Sequence, residues 1–210
     1  MVTNFDIADN AYRFLLHRFE QQRLMDSMPD AGGRIRTFSG ETVEKLTRLI
    51  WTSLAEKHGI EANIVKGDYD PITVCDADGN YVEESVDQHC YIGEKLVLAV
   101  EDKTYLDKCY MQRADSDFAL MRGYAHHRFG TAIFALENSI NDNSFRFFMN
   151  RGNIDDVFFF ADGKHNAAKG KRIYNTPTRL NRKYILDAVK YMDSFFVKEI
   201  SGSTAIVCCE

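Results

Sequence analysis

The chain has 210 residues, 45% apolar and 27% charged, a length and composition that predict one globular domain spanning 1–210. Its formal net charge of -5 argues against a protein that simply coats nucleic acid, and no apolar run long enough to span a membrane and no secretion signal occur, so no membrane partner is expected. The five cysteines include no C-x-x-C pair, which argues against a zinc knuckle and favours a reducing cytosol.

The first 38 residues, 1–38, are predicted to form an N-terminal helix and a basic arm. Residues 9–26 carry apolar side chains at helical spacing, which predicts a helix for packing or for dimerisation. The glycines in 29–37 predict a flexible loop that carries Arg34 and Arg36. Arginine pairs bidentately with guanine edges, so this arm could enter a DNA groove. A solvated loop would explain the same residues.

The core of the domain is predicted to occupy 39–163 and to begin with a helix. Ser39 is a suitable N-cap, Gly59 a suitable end, and apolar side chains recur between them at helical spacing. Two short strands are predicted next, at 62–66 and 72–75.

Residues 96–103, Leu-Val-Leu-Ala-Val-Glu-Asp-Lys, predict the central strand of the sheet. Alternate side chains point to opposite faces, and both faces are apolar until the three charges begin. This pattern is typical of a strand covered on both sides. Because little water reaches the end of such a strand, Glu101 and Lys103 are either a buried ion pair or part of a site.

Asp87 lies on a preceding strand-like run, 85–92, which Gly93 and Glu94 separate from the central strand. A strict two-residue turn would put Asp87 and Glu101 on opposite faces, because a shift of one residue flips every side chain. If the two acids share a site, the hairpin therefore needs a three- or five-residue loop, or a bulge near Gly93.

The chain continues with a predicted helix at 107–124, a strand at 131–136, a helix at 141–149 and a strand at 157–161. The first of these helices carries Lys108 and Arg113. These two side chains could contact phosphates, although a solvated helix face is the more frequent meaning of such charges.

The last segment, 164–200, is predicted to be a basic loop followed by a helix that starts at 175–177. Between residues 164 and 183 there are basic side chains and no acidic ones. The basic residues of the loop are Lys164, Lys169, Lys171 and Arg172. In an acidic chain this segregation indicates a polyanionic partner, although a solubilising surface loop would explain it too.

Asp87, followed after thirteen residues by Glu101-Asp102-Lys103, resembles the motif of the PD-(D/E)XK nuclease superfamily. The run 101–108 also resembles the segment that begins with the motif's second acid in some type II restriction endonucleases, and the likeness covers roughly 40–165. Val86 stands where the motif often has proline. The resemblance implies an α/β fold with a central mixed β-sheet flanked by helices, as in restriction endonucleases, with 39–163 as the catalytic core.

The resemblance also implies a magnesium site with one or two Mg²⁺ ions. Asp87, Glu101 and the backbone carbonyl of Asp102 would be ligands, and Lys103 would orient the attacking water. In similar families a glutamate one turn into a helix often points at the metal. Glu44 matches that place and could bind a second ion with Asp87, although a solvated surface glutamate remains the alternative.

The function that the resemblance implies is sequence-specific cleavage of double-stranded DNA by a homodimer in a bacterial cytoplasm. A two-fold protein matches a two-fold site. Two alternatives keep the fold. One is a repair or junction nuclease that recognises DNA structure, and the other is a non-catalytic DNA-binding module in which the charged trio is structural.

Overall fold

The computed structural model describes residues 2–26, 31–75, 81–124, 128–163 and 179–206. Its strands are β1 (Ala62–Lys66), β2 (Ile72–Cys75), β3 (Tyr81–Glu84), β4 (Gln88–Ile92), β5 (Lys95–Leu106), β6 (Gly130–Asn138) and β7 (Asp156–Phe159). Its helices are α1 (Asn4–Asp26), α2 (Ala31–His58), α3 (Lys108–Tyr124), α4 (Asp142–Met149) and α5 (Arg182–Ile206). A 3-10 helix, Gly67–Tyr69, follows β1.

The described strands form a mixed five-stranded sheet in the order β1-β4-β5-β6-β7, beside a two-stranded hairpin, β2-β3. β4 pairs antiparallel with both of its neighbours, whereas β5, β6 and β7 are parallel. Parallel neighbours need a crossover, and α3 and α4 supply these two connections. The α/β class, the mixed sheet and the central position of β5 are therefore confirmed.

Two layers cover the sheet. Helices α1, α2 and α5 pack on one face, and α3, α4 and the β2-β3 hairpin lie on the other. Trp51 of α2 is fully buried in the first layer, where its indole Nε1 donates to the Asn63 carbonyl at 3.0 Å. None of the helices within the described ranges is long and apolar enough to cross a membrane.

The hairpin between β4 and β5 contains the bulge that the site hypothesis required. Tyr91 faces Leu96 next to the turn, but Cys90 faces Leu98, so the extra residue in β5 is Val97. Strict alternation is therefore wrong at this point, because Val97 and Leu98 both join the core under α1, α2 and α5. On the far side of the bulge from the turn, Gln88 faces Val100 without a further shift in register. The same register brings Asp87, the residue before β4, opposite Glu101.

Helix α1 begins earlier than its apolar pattern predicts. Its first residue is Asn4 rather than a residue near 9. The Thr3 hydroxyl accepts from the Asp6 backbone N–H at 3.2 Å, and the Asp6 carboxylate accepts from the Thr3 N–H at 2.8 Å. This reciprocal pair is a capping box, which satisfies N–H groups at the helix start.

The flexible loop predicted at 29–37 is wrong from residue 31 onward, because α2 begins at Ala31. Arg34 and Arg36 therefore belong to the first turns of α2. Their contact with DNA stays a prediction.

Ser39 is likewise not an N-cap but a buried residue inside α2, where its hydroxyl accepts from the Gln22 amide of α1. Nearby, the Arg18 guanidinium lies 3.5 Å from the centre of the Phe38 ring. These contacts between α1 and α2 stabilise turns that the glycines Gly32 and Gly33 would weaken in isolation.

The C-terminal helix starts later than predicted. Leu180 forms a bridge with Ala161, and α5 begins only at Arg182. The Asn181 side chain accepts from the Lys183 N–H at 3.0 Å and caps the helix. An unbroken helix from 175–177 onward is thus wrong at 180–181, while residues 175–177 and the basic loop with Lys164, Lys169, Lys171 and Arg172 lie outside the described residues.

Asp193 of α5 connects three helices, so we expect its replacement to lower the stability of the fold measurably. Its carboxylate accepts from Asn4 at 2.9 Å, Lys57 at 2.9 Å and His58 at 2.6 Å. Burial alone would raise the pKa of Asp193, but these hydrogen bonds together lower it. We expect Asp193→Ala to reduce the free energy of unfolding at pH 7 by about 1–3 kcal/mol in urea denaturation, because three donors lose their acceptor.

The matched control is Asp187→Ala on the same helix. Asp187 forms an exposed i,i+4 ion pair with Lys183 at 2.8 Å, so its removal should cost no more than about 0.5 kcal/mol. Equal losses for both variants would contradict a special role of Asp193.

Candidate active site

Three charged side chains converge where β4 and β5 meet. The Lys103 ammonium lies 2.6 Å from Asp87 Oδ2 and also contacts the Glu101 carboxylate. The backbone N–H of Asp102 donates to Asp87 Oδ2 at 2.8 Å. Asp87, Glu101 and Lys103 thus form one cluster, as the shared face beyond the bulge requires.

The cluster runs from the surface inward. Asp87 keeps 32% of its side chain exposed, Lys103 keeps 19%, and Glu101 only 5%. A ligand would therefore meet Asp87 first, with Glu101 behind it.

Burial governs the electrostatics of the cluster. It raises the pKa of Glu101 to about 8, with the charge of Asp87 adding to the effect and Lys103 opposing it. Burial also acts to raise the pKa of Asp87, but a hydrogen bond from the Glu101 carboxyl and the Lys103 ammonium hold it below its usual range. For Lys103, the two carboxylates outweigh burial and raise the pKa. One ammonium thus faces two carboxyl groups, and burial disfavours the ionised form of the inner one, Glu101.

This donor set fits magnesium. Asp87 and Glu101 offer hard carboxylate oxygens, which Mg²⁺ prefers, and the ion keeps several waters, so two carboxylates suffice. Within the described ranges, no third His, Cys, Asp or Glu side chain completes a metal-binding group. In an extended strand the N–H and C=O of a residue point to the same edge, so the Asp102 carbonyl is directed toward the edge where Asp87 lies.

The side chain of Asp102 lies on the opposite face of β5, away from the cluster. Its carboxylate accepts from the Thr47 hydroxyl at 2.7 Å and from the Gln88 amide. Burial and the charge of Asp87 raise the pKa of Asp102 to about 7, against the effect of these hydrogen bonds. Only the backbone of Asp102 is thus placed to serve a cation beside Asp87.

Glu44 lies next to this region on α2 but pairs with another cation. Its carboxylate lies 2.7 Å from the Lys66 ammonium, and its backbone carbonyl accepts from the Gln88 amide at 3.0 Å. The structure thus joins Glu44 to Lys66 rather than to Lys103. A second ion between Glu44 and Asp87 stays a prediction, and it would require Glu44 to leave Lys66.

Helix α3 contributes residues that the sequence interpretation did not assign to the site. The Lys103 ammonium lies 6.0 Å from the centre of the Tyr110 ring, which meets Tyr105 edge-on at 5.6 Å. Tyr110 is 38% exposed. Asp117 follows Tyr110 by seven residues; burial raises its pKa, and the charges of Lys103 and Asp87 also act on it. The spacing of seven residues was the signal in the sequence that Tyr110 and Asp117 share one face of the helix.

The predicted DNA-binding residues on α3 are exposed. Lys108 is the first residue of the helix, and Arg113 lies 3.5 Å from Asp117. Both are accessible from solvent, yet their contact with DNA stays a prediction.

The chain matches no known protein-family model, and no curated protein matches it. The likeness to PD-(D/E)XK nucleases therefore stays a prediction from the motif residues and their spacing in the sequence.

Proposed function

We propose that the chain is a magnesium-dependent, sequence-specific endonuclease for double-stranded DNA, with a restriction-endonuclease-like fold and a PD-(D/E)XK active site. One observation carries the proposal: the β4-β5 bulge puts Asp87 opposite Glu101 and within reach of Lys103. A purely structural ion pair needs only one carboxylate for each lysine. Two acids sharing one ammonium, with the inner acid raised in pKa, form a site suited to a further cation.

Each residue of the cluster has a task in phosphodiester hydrolysis. Asp87 and Glu101, with the Asp102 carbonyl, would hold Mg²⁺, which when bound supplies positive charge to offset the charge that develops on the phosphate. Lys103 donates hydrogen bonds to the attacking water and favours loss of its proton. Glu44 would join only in a site with two ions.

The substrate and assembly follow from the same proposal. Two copies related by a two-fold axis would place one active site on each DNA strand. The phosphate and base contacts would come from Arg34, Arg36, Lys108, Arg113, Lys164, Lys169, Lys171 and Arg172. Such an enzyme would act in a bacterial cytoplasm beside a matching DNA methyltransferase.

Digestion of phage DNA with Mg²⁺ tests the proposal. We expect the wild type to produce discrete fragments, and Lys103→Ala to bind the same DNA in a gel-shift assay while cutting it at least about 100-fold more slowly, because water activation is lost. Lys95→Ala is the matched control, since Lys95 begins the same strand but forms an exposed ion pair with Glu199 at 3.2 Å.

The alternative functions give different outcomes in this assay. Nicks confined to branched DNA would indicate a repair or junction nuclease. Binding without cleavage, unchanged by Mg²⁺, would indicate a DNA-binding module. Equal cutting by wild type and Lys103→Ala would remove Lys103 from the mechanism.

A further inference from the structure

We infer that Thr47, Gln88 and the side chain of Asp102 form a positioning network that aims the Asp102 peptide at the cation site. The inference rests on the proposed function, because it assigns a role toward the ion held by Asp87 and Glu101.

The positioning network joins α2, β4 and β5 on the face opposite the charged cluster. The Thr47 hydroxyl donates to Asp102 Oδ1 at 2.7 Å. The Gln88 amide donates both to Asp102 Oδ2 and to the Glu44 carbonyl, the latter at 3.0 Å. Thr47 and Gln88 are fully buried and Asp102 is 6% exposed, so water does not compete for these hydrogen bonds.

The network affects the cation site through the backbone of Asp102. The same Asp102 whose carboxylate is fixed by two donors gives its N–H to Asp87 Oδ2 at 2.8 Å. Side chain and peptide share one Cα atom, so fixing the carboxylate limits rotation of the peptide. Loss of an anchor would loosen the N–H that orients Asp87 and the carbonyl on the same edge of the strand.

The cost of the network argues that it has a task beyond folding. Within the described part of the chain, Asp102 forms no ion pair, so its carboxyl group is buried with neutral partners only. A buried carboxylate without a cation destabilises a fold relative to an apolar side chain. Attachment of α2 to the sheet does not need it, because Val43, Leu46 and Ile50 already pack there. Such local conflicts are expected at functional sites.

Binding of Mn²⁺ to the full chain, followed by its EPR signal, tests the network without relying on activity. We expect Thr47→Val, which keeps the shape and removes the hydroxyl, to weaken Mn²⁺ binding about 10-fold, as removal of an outer hydrogen bond does at metal sites. Thr47→Ser should restore binding to within about twofold, because the hydroxyl returns. Gln88→Met removes the other anchor and should also weaken binding about 10-fold; it decides the question if Thr47→Val does not fold.

The matched control is Thr42→Val. Thr42 lies on the same helix and is fully buried, and its hydroxyl donates to the Phe38 carbonyl at 2.7 Å and accepts from Arg18 Nε at 3.1 Å, neither of which belongs to the positioning network. It should lower thermal stability and leave Mn²⁺ affinity unchanged. Equal weakening by Thr42→Val and Thr47→Val, or unchanged binding in Thr47→Val, would overturn the inference.

The outcomes separate this inference from the proposed function. A wild type that neither binds Mn²⁺ nor cuts DNA would overturn both. A wild type that binds Mn²⁺ and cuts, with Thr47→Val and Gln88→Met binding equally well, would overturn the positioning role alone.

Discussion

Replacing Glu101 with glutamine is expected to lower magnesium-dependent DNA cleavage about 1000-fold or more while raising thermal stability at pH 8. A metal ion contributes several kcal/mol of charge stabilisation to such a reaction, and each 1.4 kcal/mol is a factor of ten in rate. Burial and Asp87 raise the pKa of Glu101 to about 8, so ionising it costs free energy in the protein without a cation. The neutral amide removes that cost together with the ligand.

Cleavage of a labelled duplex and scanning calorimetry measure the two halves of this prediction. Glu94→Gln is the control, since Glu94 is an exposed residue in the turn of the same hairpin. It should leave both cleavage and stability unchanged. A Glu101→Gln variant that cuts normally would exclude Glu101 as a ligand, and one that cuts slowly because it is unfolded would contradict the electrostatic argument.

The central strand and its neighbours were predictable from the sequence because their signals are local. The apolar run of β5, covered on both sides, and the acids at its end follow from residue order alone. The sequence could show only that a bulge or a longer loop is needed if Asp87 and Glu101 share a site. Alternation requires it if Asp87 and Glu101 are to meet, but its place at Val97 depends on how Cys90 and Leu98 pack in the core.

Helix starts were harder to predict because tertiary contacts decide them. Gly32 and Gly33 favour a loop by intrinsic propensity. The turns after them are nevertheless helical, since Arg18 and Gln22 of α1 contact Phe38 and Ser39 of α2. Nothing in the local sequence of α2 reveals those partners.

The surroundings of the site show the same limit. Glu44 was predicted near the cluster, and its place on α2 puts it there, but its pairing with Lys66 depends on how β1 ends beside α2. Tyr110 lies 38% exposed on α3 with its ring centre 6.0 Å from the Lys103 ammonium, a contact that depends on how α3 packs against β5. Motif spacing thus locates the acids and the lysine, and the three-dimensional packing determines what else reaches them.

The same buried acids predict an unusual pH dependence of stability, with the melting temperature falling as pH rises from 6.5 to 8.5. Burial raises the pKa of Glu101 to about 8 and that of Asp102 to about 7, well above their values in an unfolded chain. The folded state then binds more protons than the unfolded state, so this part of the stability is complete at low pH and is lost as pH rises through 7 and 8. The loss should be on the order of 2 kcal/mol, or about 4–8 °C.

The neighbouring ionisable groups Asp87, Lys103 and His89 change the stability outside the range pH 6.5 to 8.5. Asp87, with its pKa held low against the effect of burial, changes stability in acid, and Lys103, with its pKa raised by two carboxylates that outweigh burial, does so in strong base. His89, on the next strand, has a pKa lowered by burial and acts below its ordinary value of about 6.5. Within the window, Glu101→Gln should therefore flatten the profile more than Asp102→Asn does.

Magnesium should reverse the loss of stability, because a cation that replaces protons at Asp87 and Glu101 binds more tightly as pH rises. Calorimetry at pH 6.5 and 8.5, with and without Mg²⁺, measures this directly. We expect the ion to raise the melting temperature more at pH 8.5 than at pH 6.5 in the wild type, and by an equal, small amount at both in Glu101→Gln. A wild-type melting temperature that rises between pH 6.5 and 8.5 without Mg²⁺ would contradict the buried-acid account of the site.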